Sequence, residues 1–502
     1  MVVKLYMDNI NNMKLDKTTY IDNNKYINLK TNNIIKNLLL KNSIKKHNKR
    51  FIEKEILKFN NDLSFEQKKS IVVNENNILL LSGAGCGKTY TIVSKIKYLI
   101  EEKNINEKEI LCLSFTNKST NDLKNKIKYN IDIFTFHKLS LELLNDYNFN
   151  YKVCPSDYLE YIVNEIFNGE EDKTKRIIVS FINLFIMNNK KINNLEKMSK
   201  KNLLLKVIKE IYVIYENEKE SQGLLDFNDM ILKSIELINK YGFKRYYKYI
   251  IIDEYQDISY SRYLLVKKIK ESCNSYIFAV GDDYQSIYNF SGSNIKMVYN
   301  FKRLFGYTKI LYLTRTYRNS NELVKLSNKF ILKNRKQIKK KLYSSKQLNK
   351  PVKIIYYDKN LKIKFKKLIS TLNNTLILLR NRNDINLIID NDIKINNYTL
   401  FYENKEFNYL TVHKSKGLEE ENIIILNLVN KANGFPSSIK SDSIIKYAYK
   451  ECNKIEEERR LFYVALTRSK KYVFLFVDKN NPSIFVKEIL KESKNYIEVL
   501  DL

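Results

Sequence analysis

The sequence predicts an α/β protein built as two parallel-sheet lobes. Three observations carry this. Short apolar runs that read as strands alternate with helix-periodic segments, and they do so twice along the chain. The first series contains an apolar strand, a loop of small residues and a helix in direct succession, over Asn77–Thr89 and beyond. A later apolar run, Tyr249–Ile252, ends in the adjacent carboxylates Asp253 and Glu254. In sheets of this kind ligand sites are expected at the carboxyl ends of the strands.

The first motif is the most informative. Ile78–Leu81 reads as a buried strand, and Ser82, Gly83, Ala84, Gly85, Cys86 and Gly87 form the loop. After Lys88-Thr89, Ile92, Ile96, Leu99 and Ile100 fall on one face of a helix. Backbone N–H groups of such a loop and helix start can point at a polyphosphate, where the helix dipole favours anions. Lys88 would reach the outer phosphates and the Thr89 hydroxyl would hold Mg²⁺. Ser82 stands where the general pattern has Gly and is small enough to serve. In the second motif, Asp253 would bind Mg²⁺ and Glu254 would orient and deprotonate an attacking water. Acids at a buried strand end would be costly without a cation.

Composition narrows the partner. The 502 residues allow about three or four domains. A formal charge of +32 points to a polyanion, most plausibly nucleic acid. No apolar run is long enough to span a membrane and no signal-peptide core opens the chain, so an intracellular, non-secreted protein is expected. The five cysteines are scattered without a Cys-x-x-Cys pair, which argues against zinc or a disulfide framework and for a reducing compartment. The abundance of Asn, Lys, Ile and Tyr looks like the codon bias of an AT-rich genome, which accounts for part of the charge.

In chain order, residues 1–60 are polar and basic, and the run Lys45–Arg50 is a candidate phosphate contact or simply a solvated face. Gln67, just upstream of the loop, can offer both donor and acceptor to an adenine edge. Ile110–Phe115 and Ile133–His137 read as further strands, with Phe115 and Phe134 either core or base-stacking. Residues 138–224 read as helical. The strand at Ile277–Gly281 runs into a segment where Gln285 would sense a terminal phosphate and Tyr288 and Phe290 would stack on bases. Tyr317 and Arg318 would meet the base and γ-phosphate, and Arg468, read as pointing outward from a helix end, would reach across a cleft.

Taken together, these segments resemble the UvrD/Rep-type superfamily-one DNA helicases, and within them the helicase IV branch. The resemblance rests on the phosphate loop, Leu225-Asp-Phe-Asn-Asp-Met-Ile231, Asp253–Ser259, Gly281–Ser293, Leu410–Glu419, Gly434-Phe-Pro436 and Glu456–Arg468, in that order over about residues 61–480. It implies two RecA-like motor domains, with a helical insertion in the first and a much reduced insertion in the second. The expected divisions are 1–60 as a basic accessory region, 61–137 with 225–308 as the first motor, and 138–224 as its helical insertion. Residues 309–380 with 409–502 would be the second motor, and 381–408 the remnant of its insertion. The implied activity is ATP- and Mg²⁺-dependent 3′→5′ movement on single-stranded or partly duplex DNA, by a chain expected to be monomeric. Carried over by resemblance, Gln67 and Tyr317 hold adenine and Glu419 the ribose. Arg318 and Arg468, both expected from the second lobe, neutralise γ-phosphate charge, and Gln285 couples it. Phe115, Thr116, Asn117, Thr135, His137, Tyr288, Phe290 and His413 contact DNA. Tyr90 stands where many relatives carry Arg, and Phe290-Ser291 replace a Trp-Arg pair. Two rival classes are a nucleic-acid scaffold with a dead nucleotide site and an RNA-directed motor. The scaffold usually loses an acid or arginine, and here Lys88, Asp253, Glu254, Arg318 and Arg468 are all present.

Overall fold

The computed structural model describes residues 15–21, 25–29, 52–59, 62–168, 172–188, 192–199, 202–438, 443–448 and 454–502. The basic run Lys45–Arg50 and most of the expected 1–60 region lie outside the described residues. Within that region an antiparallel hairpin joins Leu15–Ile21 and Lys25–Leu29.

The first sheet contains β1 (Asn77–Ser82), β2 (Ile110–Ser114), β3 (Asp132–Thr135), β4 (Tyr249–Ile252), β5 (Tyr276–Gly281) and β6 (Lys309–Leu313). Their order is β6-β1-β5-β4-β2-β3, and every neighbouring pair is parallel. Every residue of β1 and β4 is buried, which is why these strands read as unbroken apolar runs. Alternate side chains serve opposite layers. Leu79, Leu81, Leu111 and Ile250 pack with Phe136, Leu139, Ile231 and Val266 on one face. Ile78, Leu80, Ile110 and Ile251 pack with Ile92, Ile96 and Leu123 on the other.

The second sheet contains β7 (Val352–Tyr357), β8 (Thr375–Leu379), β9 (Lys394–Asn396), β10 (Thr399–Tyr402), β11 (Lys405–Thr411), β12 (Glu420–Leu428), β13 (Ser469–Asp478) and β14 (Ile497–Val499). Their order is β9-β10-β11-β8-β12-β13-β7-β14. The strands from β11 to β14 in that order pair in parallel, while β9, β10 and β11 form an antiparallel edge.

Two expected divisions move. β6, expected to open the second lobe at residue 309, pairs with β1 and completes the first sheet. The helix Phe136–Asp146, which crosses the expected start of the insertion at 138, buries Phe136, Leu139 and Leu143 in the first lobe. The separate helical body therefore begins later, where Lys152-Val153 pairs with Leu224-Leu225. Residues 381–408 hold a 3₁₀ turn at Arg382–Leu387 and the β9–β10 hairpin, and β11 begins within them. This stretch, expected as a short remnant, is an edge of the second sheet, because its strands continue the hydrogen-bond ladder.

The helical body comprises Tyr158–Ile166, Asp172–Met187, Ile192–Ser199 and Leu203–Gln222. Phe181, Phe185, Leu205 and Ile208 form its core, and Ile444 and Ala448 join it from the segment that follows β12. A short helix at Ile445–Ala448 thus rests on Asp172–Met187 and ties the second lobe to this body.

Candidate active site

The loop after β1 opens into a cavity of about 280 Å³ between the lobes. It is lined by Gly83, Gly85, Cys86, Gly87, Lys88, Thr89 and Tyr90 from the loop, with Glu254 and Gln285 from the same lobe. Arg318, Gly417, Glu419 and Arg468 complete the wall. Gly85 and Gly87 adopt φ of +69° and +77°, a region that side chains disfavour. A Cβ on Gly87 would fall 2.7 Å from the Gln67 amide nitrogen, and one on Gly85 2.5 Å from Arg318 Cβ. The glycines are therefore required by close approach as well as by backbone shape. The helix Lys88–Glu101 starts at Gly87 with no side-chain cap, so its first amides stay available to an anion.

Lys88 Nζ lies 3.6 Å from Glu254 Oε1. Burial pulls its proton affinity down, but Glu254, Asp282 and Asp253 outweigh it and the net shift is upward, so it is an ammonium. Glu254 follows the end of β4 in a left-handed conformation, φ +51°. Such strain in a non-glycine residue costs about 1–3 kcal/mol and clusters at functional sites. Its N–H donates to Asp253 Oδ1 at 2.9 Å, and Gln256 donates to its carboxylate. Burial pushes Glu254 up, yet Lys88 and Lys416 prevail and hold it below the ordinary carboxylate range. Asp253 moves the other way, raised by burial and then by Glu254. Ser119 donates to its Oδ2 at 3.4 Å.

The end of the cleft expected to hold a base is assembled from distant segments. Tyr317 OH donates to Gln67 Oε1 at 3.2 Å, and the Tyr317 N–H donates to Gly85 O at 2.9 Å. Thr316 Oγ1 donates to Ala84 O at 2.8 Å. This connector is clamped onto the loop, so Arg318 belongs to the crossing segment after β6 and not to the second sheet. Arg318 Nε donates to Glu419 Oε2 at 2.6 Å and Nη1 to Thr467 O at 3.2 Å. Arg468, expected to point outward, is 1% exposed. It bonds Val464 O and Leu418 O, and Nη2 reaches Gln285 Oε1 of the first lobe at 3.1 Å. Its backbone ties turn the side chain inward; it does cross between lobes. Burial and then Arg318 lower its pKa to about 9.

Two cations went unread in the sequence. Lys416 pairs with Asp257, sits 3.9 Å from Glu254 and donates to Gln285 O at 2.9 Å. Lys340, completely buried, donates to Ser82 O at 2.8 Å and to Asp282 and Asp283 at 2.5 and 2.7 Å. The only sequence signal for Lys416 is its place in the Lys-Ser-Lys-Gly turn, and Lys340 is hidden in a lysine-rich run.

Four of the residues expected on DNA form a string of rings. Phe115 stacks on Tyr288 with centroids 5.9 Å apart, Tyr288 meets Phe290 at 6.0 Å, and Phe290 meets His413 at 5.3 Å. Tyr288 OH also donates to His413 O at 3.0 Å. This aromatic string spans both lobes, and Phe290 is 61% exposed. His137 stacks on Phe227 at 4.3 Å, a partner not expected from the sequence. Thr116 and Thr135 cap helices, accepting from Ser119 N and Lys138 N, and Asn117 is exposed beside Thr116.

Two parallel-sheet lobes closing on one phosphate-loop cleft, with an arginine bridging them, define a P-loop motor architecture. Models of the UvrD/REP helicase N-terminal domain and the UvrD-like helicase C-terminal domain match residues 63–306 and 364–480. The chain belongs to the UvrD/REP helicase family. It is 26% identical to DNA helicase IV of Escherichia coli (strain K12), over 85% of this chain and 69% of that protein. It is 30% identical to the ATP-dependent DNA helicase Rep of Buchnera aphidicola subsp. Schizaphis graminum, over 58% of this chain and 48% of that protein. A probable DNA helicase of Mycoplasma pneumoniae is 26% identical, with 86% of this chain and 87% of that protein aligned.

Proposed function

We propose that this chain is an ATP-dependent DNA helicase that moves 3′→5′ along single-stranded DNA. The observation that carries the reading is the Arg468–Gln285 bond across the cleft, beside a loop shaped for polyphosphate. ATP is the substrate: the uncapped helix start and glycine cradle fit its phosphates, and the Gln67–Tyr317 pair fits its base. Thr89 and Asp253 would hold Mg²⁺, whose charge would stabilise the phosphates. The buried carboxyl of Asp253, with a hydroxyl and an amide as its bonded neighbours, is a suitable hard oxygen donor.

Lys88 now pairs with Glu254, and a bound triphosphate competes for the same ammonium. That exchange frees the Glu254 carboxylate to orient water and take its proton at Oε. Arg318 leaves Glu419 and, with Arg468, neutralises charge developing on the transferred phosphoryl group. Arginines placed this way contribute about 10³–10⁵ in rate. Gln285, bonded to Arg468, carries the loss of the terminal phosphate to the lobe interface and hence to the aromatic string. Each base stacked there is worth about 1–3 kcal/mol, comparable to a duplex step of about 1.4 kcal/mol.

Among the described residues no helix is long and apolar enough to cross a membrane. Cys86, Cys112, Cys154 and Cys273 are free thiols, which fits an intracellular setting. The test is strand displacement on duplexes with single-stranded tails of opposite polarity, with and without ATP, alongside ATPase assays with DNA and RNA. Unwinding from a 3′ tail and stimulation by DNA are expected. ATPase activity indifferent to DNA would overturn the reading.

A further inference from the structure

Lys340 lies outside the residues that face the nucleotide cleft, yet it is 3% exposed and its ammonium has three oxygen partners. Its neighbours Lys336, Lys339 and Lys341 are all exposed, so burial singles out one lysine from a basic run. The ammonium sits between Asp282 and Asp283, and 3.7 Å from the Tyr284 ring centroid. Two adjacent carboxylates with no solvent exposure would repel without it. As a purely structural device this is an inefficient choice, because apolar replacement of a buried ion cluster is often neutral or stabilising.

The connections explain the choice. Asp282 accepts at Oδ1 from Lys340 Nζ and at Oδ2 from Gln285 Nε2 at 2.5 Å. The other polar atom of the Gln285 side chain, Oε1, accepts from Arg468 Nη2. The Asp282 N–H donates to Gln256 Oε1 at 2.8 Å, and Gln256 in turn holds Glu254. Lys340 also holds the Ser82 carbonyl at the mouth of the phosphate loop. Asp283 Oδ2 accepts from Gln337 Nε2 and Ile338 N at 2.6 and 2.9 Å, which fixes the segment that delivers Lys340.

We propose that Lys340 is a positioning residue for hydrolysis. It locks Asp282, and through it sets the side-chain orientation of Gln285 toward Arg468 and of Gln256 toward Glu254, while anchoring the start of the phosphate loop. This rests on the reading of the cleft as an ATPase site. Lys340 touches neither substrate nor reacting atoms, so its loss should lower turnover and leave binding largely intact.

The experiment compares wild type, Lys340→Met, Gln285→Ala and the double variant by DNA-stimulated ATPase, ADP affinity, single-strand affinity and thermal unfolding. Lys340→Met should lose about 10²-fold in kcat, the scale of a small misplacement of reacting groups, with ADP and DNA affinities within about three-fold of wild type. The double variant should turn over no more slowly than Gln285→Ala, since both changes break one chain of contacts. Wild-type turnover in Lys340→Met, additive losses, or turnover and ADP affinity falling together would overturn the proposal. If Lys340→Met does not fold, Asp282→Asn/Asp283→Asn/Lys340→Met removes the unpaired charges, and wild-type kcat in that background would overturn it equally. A wild-type chain without strand-stimulated turnover would overturn the functional reading and this inference with it, whereas an active wild type with an unaffected Lys340→Met overturns this inference alone.

Discussion

At the scale of single residues, the proposed reaction assigns separate roles to the charged groups of the cleft. Lys88→Ala removes the ammonium that the phosphates would draw from Glu254, and ATPase activity should fall by about 10²-fold or more in a coupled assay. Arg468→Ala breaks the contact between lobes and should cost about 10³-fold in kcat, with little change in ADP affinity measured by titration calorimetry. The histidines give a pH prediction. Burial, helped by Arg262, lowers His137 to about 4, and burial with Arg380 lowers His413 to about 4. The unfolded chain binds more protons than the folded one between these values and the ordinary 6.5. Stability from both rings is thus complete above that window and is lost as pH falls toward 4. Urea midpoints should drop over this range, and His137→Phe should flatten the drop. At neutral pH both rings are therefore uncharged.

At the scale of elements, the Leu225-Asp-Phe-Asn-Asp-Met segment is a helix start with a second duty. Asp226 accepts from Asn228 N and Asp229 N at 2.8 and 2.9 Å and caps Phe227–Tyr241. It also shares the buried Lys219 with Asp229 and Glu216, tying the last helix of the helical body to the motor. Asp226→Ala removes a cap and one partner of a buried cation, and should destabilise by at least about 2 kcal/mol in chemical denaturation. Phe227, the first residue after that cap, is held against His137, so the cap also orients an exposed ring beside the aromatic string.

At the scale of the whole molecule, the contacts that join the lobes include the clamped connector at 314–318, Arg468 on Gln285, Lys416 on Asp257 and the helix Ile445–Ala448 on the helical body. The first three border the cleft and the fourth does not. Ile445→Asp should therefore spare single-strand-stimulated ATP turnover and reduce strand displacement, as a duplex-unwinding assay run beside the ATPase assay would show. Equal loss of both activities would contradict a separate role for the fourth route.

Local chemistry explains how much was readable in advance. The phosphate loop, the paired acids at the end of β4 and the Gln285 segment are short, contiguous and chemically demanding, so their residue order states their geometry. What sequence order could not convey is pairing over distance. β6 joins the first sheet because its backbone meets β1, more than 200 residues earlier in the chain. Arg468 turns inward because carbonyls at Val464 and Leu418 claim it, and Lys340 differs from its lysine neighbours only by what surrounds it. The sequence by itself determined the two-lobed α/β class and the position of the glycine loop within it, since strand periodicity and a glycine cradle are local properties. Only the tertiary structure decided which cations are buried, where the lobes divide and which contacts join them, since those depend on desolvation and hydrogen bonds between segments far apart in the chain.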